Sequence, residues 1–153
     1  MVPDKFPITS EVIISFEDKN DRRLVLLLKN LGSLSPEEWQ LPTTNIKKGE
    51  TTVDAAQRVT REKVNLNMDK RRFEFLNIYD DPSRIPDGKR VISVAYFIFL
   101  EDMESILTAK NKFMVKKKFW FDVDHLPKLS FDHRQIIKEF LLQQYPIHHT
   151  LDK

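Results

Sequence analysis

The stretch 39–66, WQLPTTNIKKGETTVDAAQRVTREKVNL, limits the possible folds most. It reads as the end of a strand, then a polar loop over Thr43–Gly49, then a helix. Thr51 and Asp54 have the spacing of a capping box, which predicts that the helix begins there. Asn65 tolerates the left-handed conformation that closes a helix, so the helix is predicted to end at about this residue.

This stretch resembles the Nudix box, the signature of hydrolases that act on nucleoside diphosphates linked to another moiety. The pairs Leu41-Pro42, Gly49-Glu50 and Ala55-Ala56 match the family pattern, and Arg58 stands at its arginine position. The resemblance implies that Glu50 and Arg58 form an ion pair that clasps the loop onto the helix.

The resemblance also implies that carboxylates at positions 59, 62 and 63 hold divalent cations, and spacings of three and four residues put these positions on one helical face. Here Val59 has no ligand atom, Lys63 brings a positive charge, and Glu62 alone is retained. A hard cation needs several oxygen ligands, so we predict that tight binding of Mg²⁺ at the box helix is absent. Glu62 remains the residual catalytic candidate, and Glu62 and Glu50 are the residual metal-ligand candidates.

Threonines replace the two glycines of the family's Leu-Pro-Gly-Gly sequence. Glycine readily takes a positive φ, whereas β-branched Thr43 and Thr44 do not. We therefore predict that both threonines have negative φ and that the loop departs from the family's path. Its carbonyl is then not expected to face a metal.

Four cationic side chains are candidates for binding a phosphate-containing ligand. Lys63 is the strongest of these candidates, because it stands where the resemblance implies a metal ligand and would neutralise a diphosphate without metal. Lys47 lies in the loop before the helix, although surface lysines are usually only solvated. Arg84 and Arg90 flank a loop of the kind that often carries function, although turn chemistry also explains its proline, aspartate and glycine.

Two further segments extend the resemblance. Residues 81–96, DPSRIPDGKRVISVAY, and Ser130-Phe131-Asp132-His133 are similar to motifs of the branch that holds ADP-ribose pyrophosphatases and Nudix-related regulators of NAD metabolism. That resemblance implies a nucleotide-like small ligand, such as ADP-ribose, and a homodimer.

The remaining pattern predicts an α+β chain. Strands are predicted at 8–16, 23–29, 72–79, 90–100 and around 119–121, with a short helix at 101–110 and a longer one at 130–145. Together with the resemblance this gives an α/β/α sandwich with a mixed central sheet, in a single domain over 1–153. The chain has no cysteine, so we expect a cytoplasmic protein without disulfides or Cys-ligated zinc. Its net charge of +2 does not by itself point to nucleic acid. The longest apolar stretch is too short to span a bilayer, so no membrane partner is expected.

Three functions remain open from the sequence. The first is a Nudix-fold protein with impaired or lost hydrolase activity that binds its ligand as a sensor or interaction module. The second is an active Mg²⁺- or Mn²⁺-dependent pyrophosphohydrolase, which would need substitute ligands such as Glu101, Asp102 or Glu104. The third is a regulator that reaches nucleic acid through a partner, because direct binding by this chain is not expected without an added domain.

Overall fold

A mixed sheet forms the centre of the computed structural model, which describes residues 4–30, 37–101 and 115–146. Within these residues the sheet has six strands, namely β1 (Ile8–Glu17), β2 (Arg23–Asn30), β3 (Thr43–Asn45), β4 (Glu74–Tyr79), β5 (Ile92–Leu100) and β6 (Val115–Asp122). Their order is β4-β5-β1-β2-β6, and β3 pairs with β1 outside this path. β1 and β5 are parallel and the other pairs are antiparallel, which confirms the predicted mixed sheet.

The box helix begins and ends at the predicted residues. In the capping box, the Thr51 Oγ1 accepts from the Asp54 N–H at 3.1 Å, and the Asp54 carboxylate accepts from the Thr51 N–H at 2.9 Å. Helix α1 (Thr52–Val59) then widens into a π-helical turn (Thr60–Val64), which the sequence did not predict. Asn65 closes the turn with a φ of 61°.

Two helices cover opposite faces of the sheet because side chains alternate along the central strand. Val12 and Ile14 of β1 point to the face under α1, whereas Ile13 points to the face under helix α2 (His133–Gln144). The α1 side also holds Ala56, Val59, Val64, Leu26 and Leu28, and the α2 side holds Ile136, Ile137, Phe140, Val25 and Leu27. The predicted α/β/α sandwich is confirmed.

The N-terminal half of β1 brings the two sequence motifs to one end of the sheet. Thr9 pairs with Asn45 of β3 on one side and with Ser93 of β5 on the other. The box loop follows β3, and the loop over 80–91 precedes β5. Both loops therefore lie at the end of the sheet where β1 and β5 begin.

Some predicted boundaries differ from the observed ones. The prediction of a continuous loop over Thr43–Gly49 was wrong in its first three residues, which pair with β1, and the β-branched threonines favour this strand conformation. A 3₁₀ turn (Lys70–Arg72), capped by Asp69, delays the predicted strand at 72–79 to Glu74. The predicted helix at 101–110 lies almost wholly outside the described residues. None of the helices that the structure describes is long and apolar enough to cross a membrane.

Candidate functional site

The structure brings Glu50 and Arg58 together across the start of α1. The Arg58 Nε donates to one Glu50 carboxylate oxygen at 2.6 Å, and its Nη2 donates to the other at 3.0 Å. This bidentate geometry lowers the pKa of Glu50, with a smaller contribution from the Lys47 backbone N–H, which donates to the same carboxylate at 2.8 Å. The box loop is thereby fixed onto the helix.

Arg58 also ties the helix to β3 and to the π-helical turn. Its Nη2 donates to the Asn45 carbonyl at 2.8 Å, and its Nη1 donates to the Thr44 hydroxyl and to Glu62, both at 3.2 Å. The Arg58 side chain is only 10% exposed. It therefore serves as the hub of the group Glu50, Arg58, Glu62 and Lys63, which we call the box cluster.

Lys63 reaches back from the π-helical turn to the strand before the loop. Its Nζ donates to the Thr43 carbonyl at 2.8 Å. Burial lowers the pKa of Lys63, nearby Arg58 acts in the same direction, and Glu62 opposes both. The ammonium thus joins two segments that are twenty residues apart.

The two threonines adopt the predicted conformation. Among the described residues, the only non-glycine positions with positive φ are Asp21, Asn65 and Phe131. Thr43 and Thr44 pair with Glu11 and Ser10 of β1 instead of forming a glycine-type loop. The Thr43 carbonyl consequently faces a lysine ammonium.

The box residues do not fit a divalent metal. Val59 is completely buried in the core under α1, so this position offers no ligand to the surface. Glu62 is paired with Arg58, and Lys63 covers the Thr43 carbonyl. Among the residues that the structure describes, no group of three or more His, Cys, Asp or Glu side chains is arranged to hold a metal ion.

The other residues that were predicted to bind phosphate or metal lie outside the box cluster. Lys47 has an exposed position in the box loop. Arg90 donates to the Asp80 carbonyl at 2.6 Å and lies 5.5 Å from the centre of the Phe6 ring. Glu101 is exposed at the end of β5, and the other substitute metal ligands proposed, at positions 102 and 104, fall outside the described residues.

Arg84 is buried instead of facing the solvent. It forms a bidentate pair with Asp132, with Nε and Nη2 donating at 2.8 and 2.7 Å. Its Nη1 donates to the Ser93 hydroxyl at 2.8 Å and to the Val91 carbonyl at 3.2 Å. The side chain is 5% exposed and lies 3.6 Å from the Glu11 carboxylate. Arg84 therefore fixes the 80–91 loop to the start of α2 and to the sheet.

His133 and Glu11 complete this second group, and sequence reasoning assigned neither a role. The His133 Nδ1 accepts the Leu41 N–H at 3.0 Å, so Nδ1 carries no proton and Nε2 lies 3.6 Å from Glu11. Burial works against ionisation of Glu11, but the contacts with His133, Ser93 and Arg84 outweigh it and lower its pKa. We call Glu11, Arg84, Asp132 and His133 the buried cluster.

One signal in the sequence points to the buried cluster. Glu11 is a single carboxylate between Ser10 and the apolar run Val12–Ile14 of a strand, where a charge requires a partner. The Asp132-His133 motif and Arg84 supply its partners in space. The pairing is not evident from the sequence because the residues come from three separate segments.

Known proteins resemble this chain in sequence and in fold. An ADP-ribose pyrophosphatase from Methanocaldococcus jannaschii is 32% identical over 117 residues, which are 76% of this chain and 65% of that protein. The chain therefore spans just under two thirds of that relative's length. In structure, the NUDIX domain of Shewanella oneidensis NrtR, crystallised with ADP ribose, matches with a TM-score of 0.79 at 18% identity, over 92% of this chain and 90% of that one.

A MutT/nudix family protein from Enterococcus faecalis also matches with a TM-score of 0.79, at 21% identity, over 97% of this chain and 67% of that one. The likeness to both structures shows the fold. Residues 8–140 match the family described as the NUDIX domain. This match covers most of the chain and includes both clusters, and the chain therefore belongs to the Nudix family.

Proposed function

We propose that this protein binds a nucleoside-diphosphate-linked ligand, such as ADP-ribose, as a sensor or interaction module, and that its hydrolase activity is impaired or lost. The ligand class is supported by the relative from M. jannaschii, an ADP-ribose pyrophosphatase, and by the NrtR domain crystallised with ADP ribose. The proposed binding face is the end of the sheet where the box loop and the 80–91 loop both lie.

The observation that carries the proposal is the internal pairing of the box charges. Glu62 lies against Arg58, Lys63 lies on the Thr43 carbonyl, and Val59 is part of the core. Hydrolysis of a phosphoanhydride by a metal ion depends on carboxylates that position it. Binding depends on other groups, so it can persist when those carboxylates are lost.

Cationic side chains provide the charge that a diphosphate requires. Lys63 and Lys47 are proposed to face the phosphates, with Arg90 approaching from the 80–91 loop. Arg84 is proposed to act indirectly, because its guanidinium is already occupied by Asp132 and Ser93. Salt should weaken such binding, since exposed charges are screened.

Two measurements test the proposal. Release of phosphate or nucleotide from ADP-ribose, NADH and nucleoside triphosphates, with Mg²⁺ or Mn²⁺, is expected to remain at trace levels. Titration calorimetry with ADP-ribose in EDTA is expected to show binding that weakens with added salt and with Lys63→Ala. Lys138→Ala is the control, because Lys138 is exposed on α2, at the opposite face. Robust turnover that Glu62→Gln abolishes would establish an active hydrolase instead.

We also propose that the chain forms a homodimer. The supporting observation is strand β4, which is at the edge of the sheet among the described strands and on which Phe75 and Ile78 are 54% and 49% exposed. Apolar side chains on an unpaired edge commonly mark a contact surface. Light scattering after size exclusion should give twice the mass of the chain, and a monomer at micromolar concentration would refute this part of the proposal.

A further inference from the structure

The contact between Lys63 and Thr43 has the features of a cation site. A backbone carbonyl is an oxygen donor of the kind that hard cations bind. Here the Lys63 Nζ lies 2.8 Å from that oxygen, with Glu62 beside it in the sequence and on the same turn. Lys63 is half-buried, so its ammonium lies partly out of solvent where it meets the carbonyl.

The surrounding charges work against a free divalent ion. An ion approaching Glu62 would meet the Arg58 guanidinium, whose Nη1 is 3.2 Å from that carboxylate. To reach the Thr43 carbonyl it would have to displace the ammonium. Like charges at such short distances repel strongly in a partly buried setting.

We propose that Lys63 is a tethered cation that replaces a divalent ion on this face, holding β3 against the π-helical turn and excluding metal. The ammonium supplies the positive charge at the Thr43 carbonyl, and it is part of the chain, so no ion has to be captured. The biological use of this cation rests on the proposed function, in which it also neutralises a diphosphate. The exclusion of metal is a property of the protein alone.

The charge at position 63 is expected to decide whether a metal ion binds on this face. Lys63→Glu removes the ammonium and introduces a carboxylate beside Glu62 and the Thr43 carbonyl. The variant then has three oxygen donors where the natural protein has a positive charge. It is expected to bind Mn²⁺, and its affinity should exceed that of the natural protein by about tenfold or more, since affinity follows the number of charged ligands.

The experiment uses Mn²⁺ alone on the full chain, with no nucleotide. Binding is measured by selective paramagnetic broadening of the backbone amide signals of Thr43 and Glu62, which detects millimolar as well as tighter sites. The natural protein should show no selective broadening, and Lys63→Glu should show it at low concentrations of metal. Adding Glu62→Gln to that variant should remove it. Lys138→Glu is the matched control for a carboxylate introduced elsewhere.

Lys63→Gln keeps the test valid if Lys63→Glu does not fold. It removes the charge without adding a carboxylate, and selective broadening of the Thr43 and Glu62 signals should appear at high Mn²⁺ concentration, whereas the natural protein shows none. Selective broadening in the natural protein, or equal behaviour of Lys63→Gln and the natural protein, would overturn the inference. If the Mn²⁺ results hold but ADP-ribose does not bind, the tethered cation stands and only the proposed ligand fails.

Discussion

The box cluster and the buried cluster lie on opposite faces of the sheet. Both hold charged side chains out of solvent, but with different exposure and different partners. In the box cluster the side-chain exposure rises from 10% at Arg58 to 30% at Glu62. Backbone carbonyls accept hydrogen bonds from both of its cationic side chains, Arg58 and Lys63. In the buried cluster Arg84, Glu11 and His133 are 5% exposed or less, and Asp132 is 19% exposed. The Arg84 guanidinium donates to the Asp132 carboxylate, the Ser93 hydroxyl and the Val91 carbonyl.

This difference indicates different roles. A charged side chain that is partly in solvent can exchange a protein partner for a ligand at a modest cost in free energy. A buried charged side chain cannot, because losing its partner leaves an uncompensated charge. In the proposed function the box cluster therefore contacts the ligand, and the buried cluster positions the loops. Through Arg84 and the Leu41 N–H bonded to His133, the buried cluster supports both the 80–91 loop and the segment that leads into β3.

The largest expected loss of stability comes from removing the arginine of the buried cluster. Arg84→Met leaves the carboxylates of Glu11 and Asp132 without their guanidinium, and should lower the free energy of unfolding by about 4 kcal/mol. Urea denaturation measures this change. Arg90→Met, in the same loop, is the control and should cost less than about 1 kcal/mol. Equal effects of the two substitutions would mean that burial does not distinguish these arginines.

Breaking the box cluster should lower the free energy of unfolding somewhat less than Arg84→Met does. Arg58→Met removes the partner of Glu50 and the donors to Asn45 and Thr44, and we expect a loss of about 3 kcal/mol, because its partners retain some access to water. Arg61→Met, at an exposed position three residues further along, is the matched control. If Arg58→Met were more damaging than Arg84→Met in the same urea experiment, the proposed ranking of the clusters would be reversed.

Acid should weaken the box cluster through Glu50. Its folded pKa is lowered below 4.5 by Arg58, so its stabilising contribution is complete above about pH 4.5 and is lost as the pH falls through the folded pKa. At pH 7 we expect Glu50→Gln to be less stable than the natural protein by about 2 kcal/mol. This gap should narrow as the pH falls below 4.5.

The Arg58→Met background provides the control for that titration. Without the guanidinium the pKa of Glu50 has lost the main cause of its shift, so adding Glu50→Gln there should give a small gap with little dependence on pH. A gap that stays constant from pH 7 to pH 3 in the natural background would show that the pair does not control the charge of Glu50.

The fold could be predicted from the sequence because its signals are local. Alternating and continuous apolar runs gave the strands, and Thr51, Asp54 and Asn65 gave the ends of the box helix by known capping chemistry. The π-helical turn has no such signal. β3 has no such signal either, because its three polar residues show no periodicity. The β-branched side chains of Thr43 and Thr44 did predict the negative φ of both residues.

The candidate site was harder to predict because its contacts join distant segments. The resemblance to the Nudix box indicated Glu50, Arg58, Glu62 and Lys63, which do lie together. It did not indicate that Lys63 reaches the Thr43 carbonyl, because a side-chain direction in the π-helical turn does not follow from sequence spacing. Arg84 was expected near a ligand, and only the arrangement in space shows its guanidinium bound to Asp132 from another segment.

The smallest expected loss of stability comes from a substitution in β3, the strand that Arg58 and Lys63 contact. Glycine in a strand costs conformational entropy and removes cross-strand packing, so Thr44→Gly should lower the free energy of unfolding by about 1 kcal/mol. Thr44→Val is the control, because it stays β-branched and loses only the hydroxyl that accepts from Arg58 at 3.2 Å. Urea denaturation of both variants should separate the backbone effect from the hydroxyl effect. If Thr44→Gly is as stable as the natural protein, the threonine at position 44 does not account for β3, and the contacts of Arg58 with the Asn45 carbonyl and of Lys63 with the Thr43 carbonyl are enough to hold the segment against the helix.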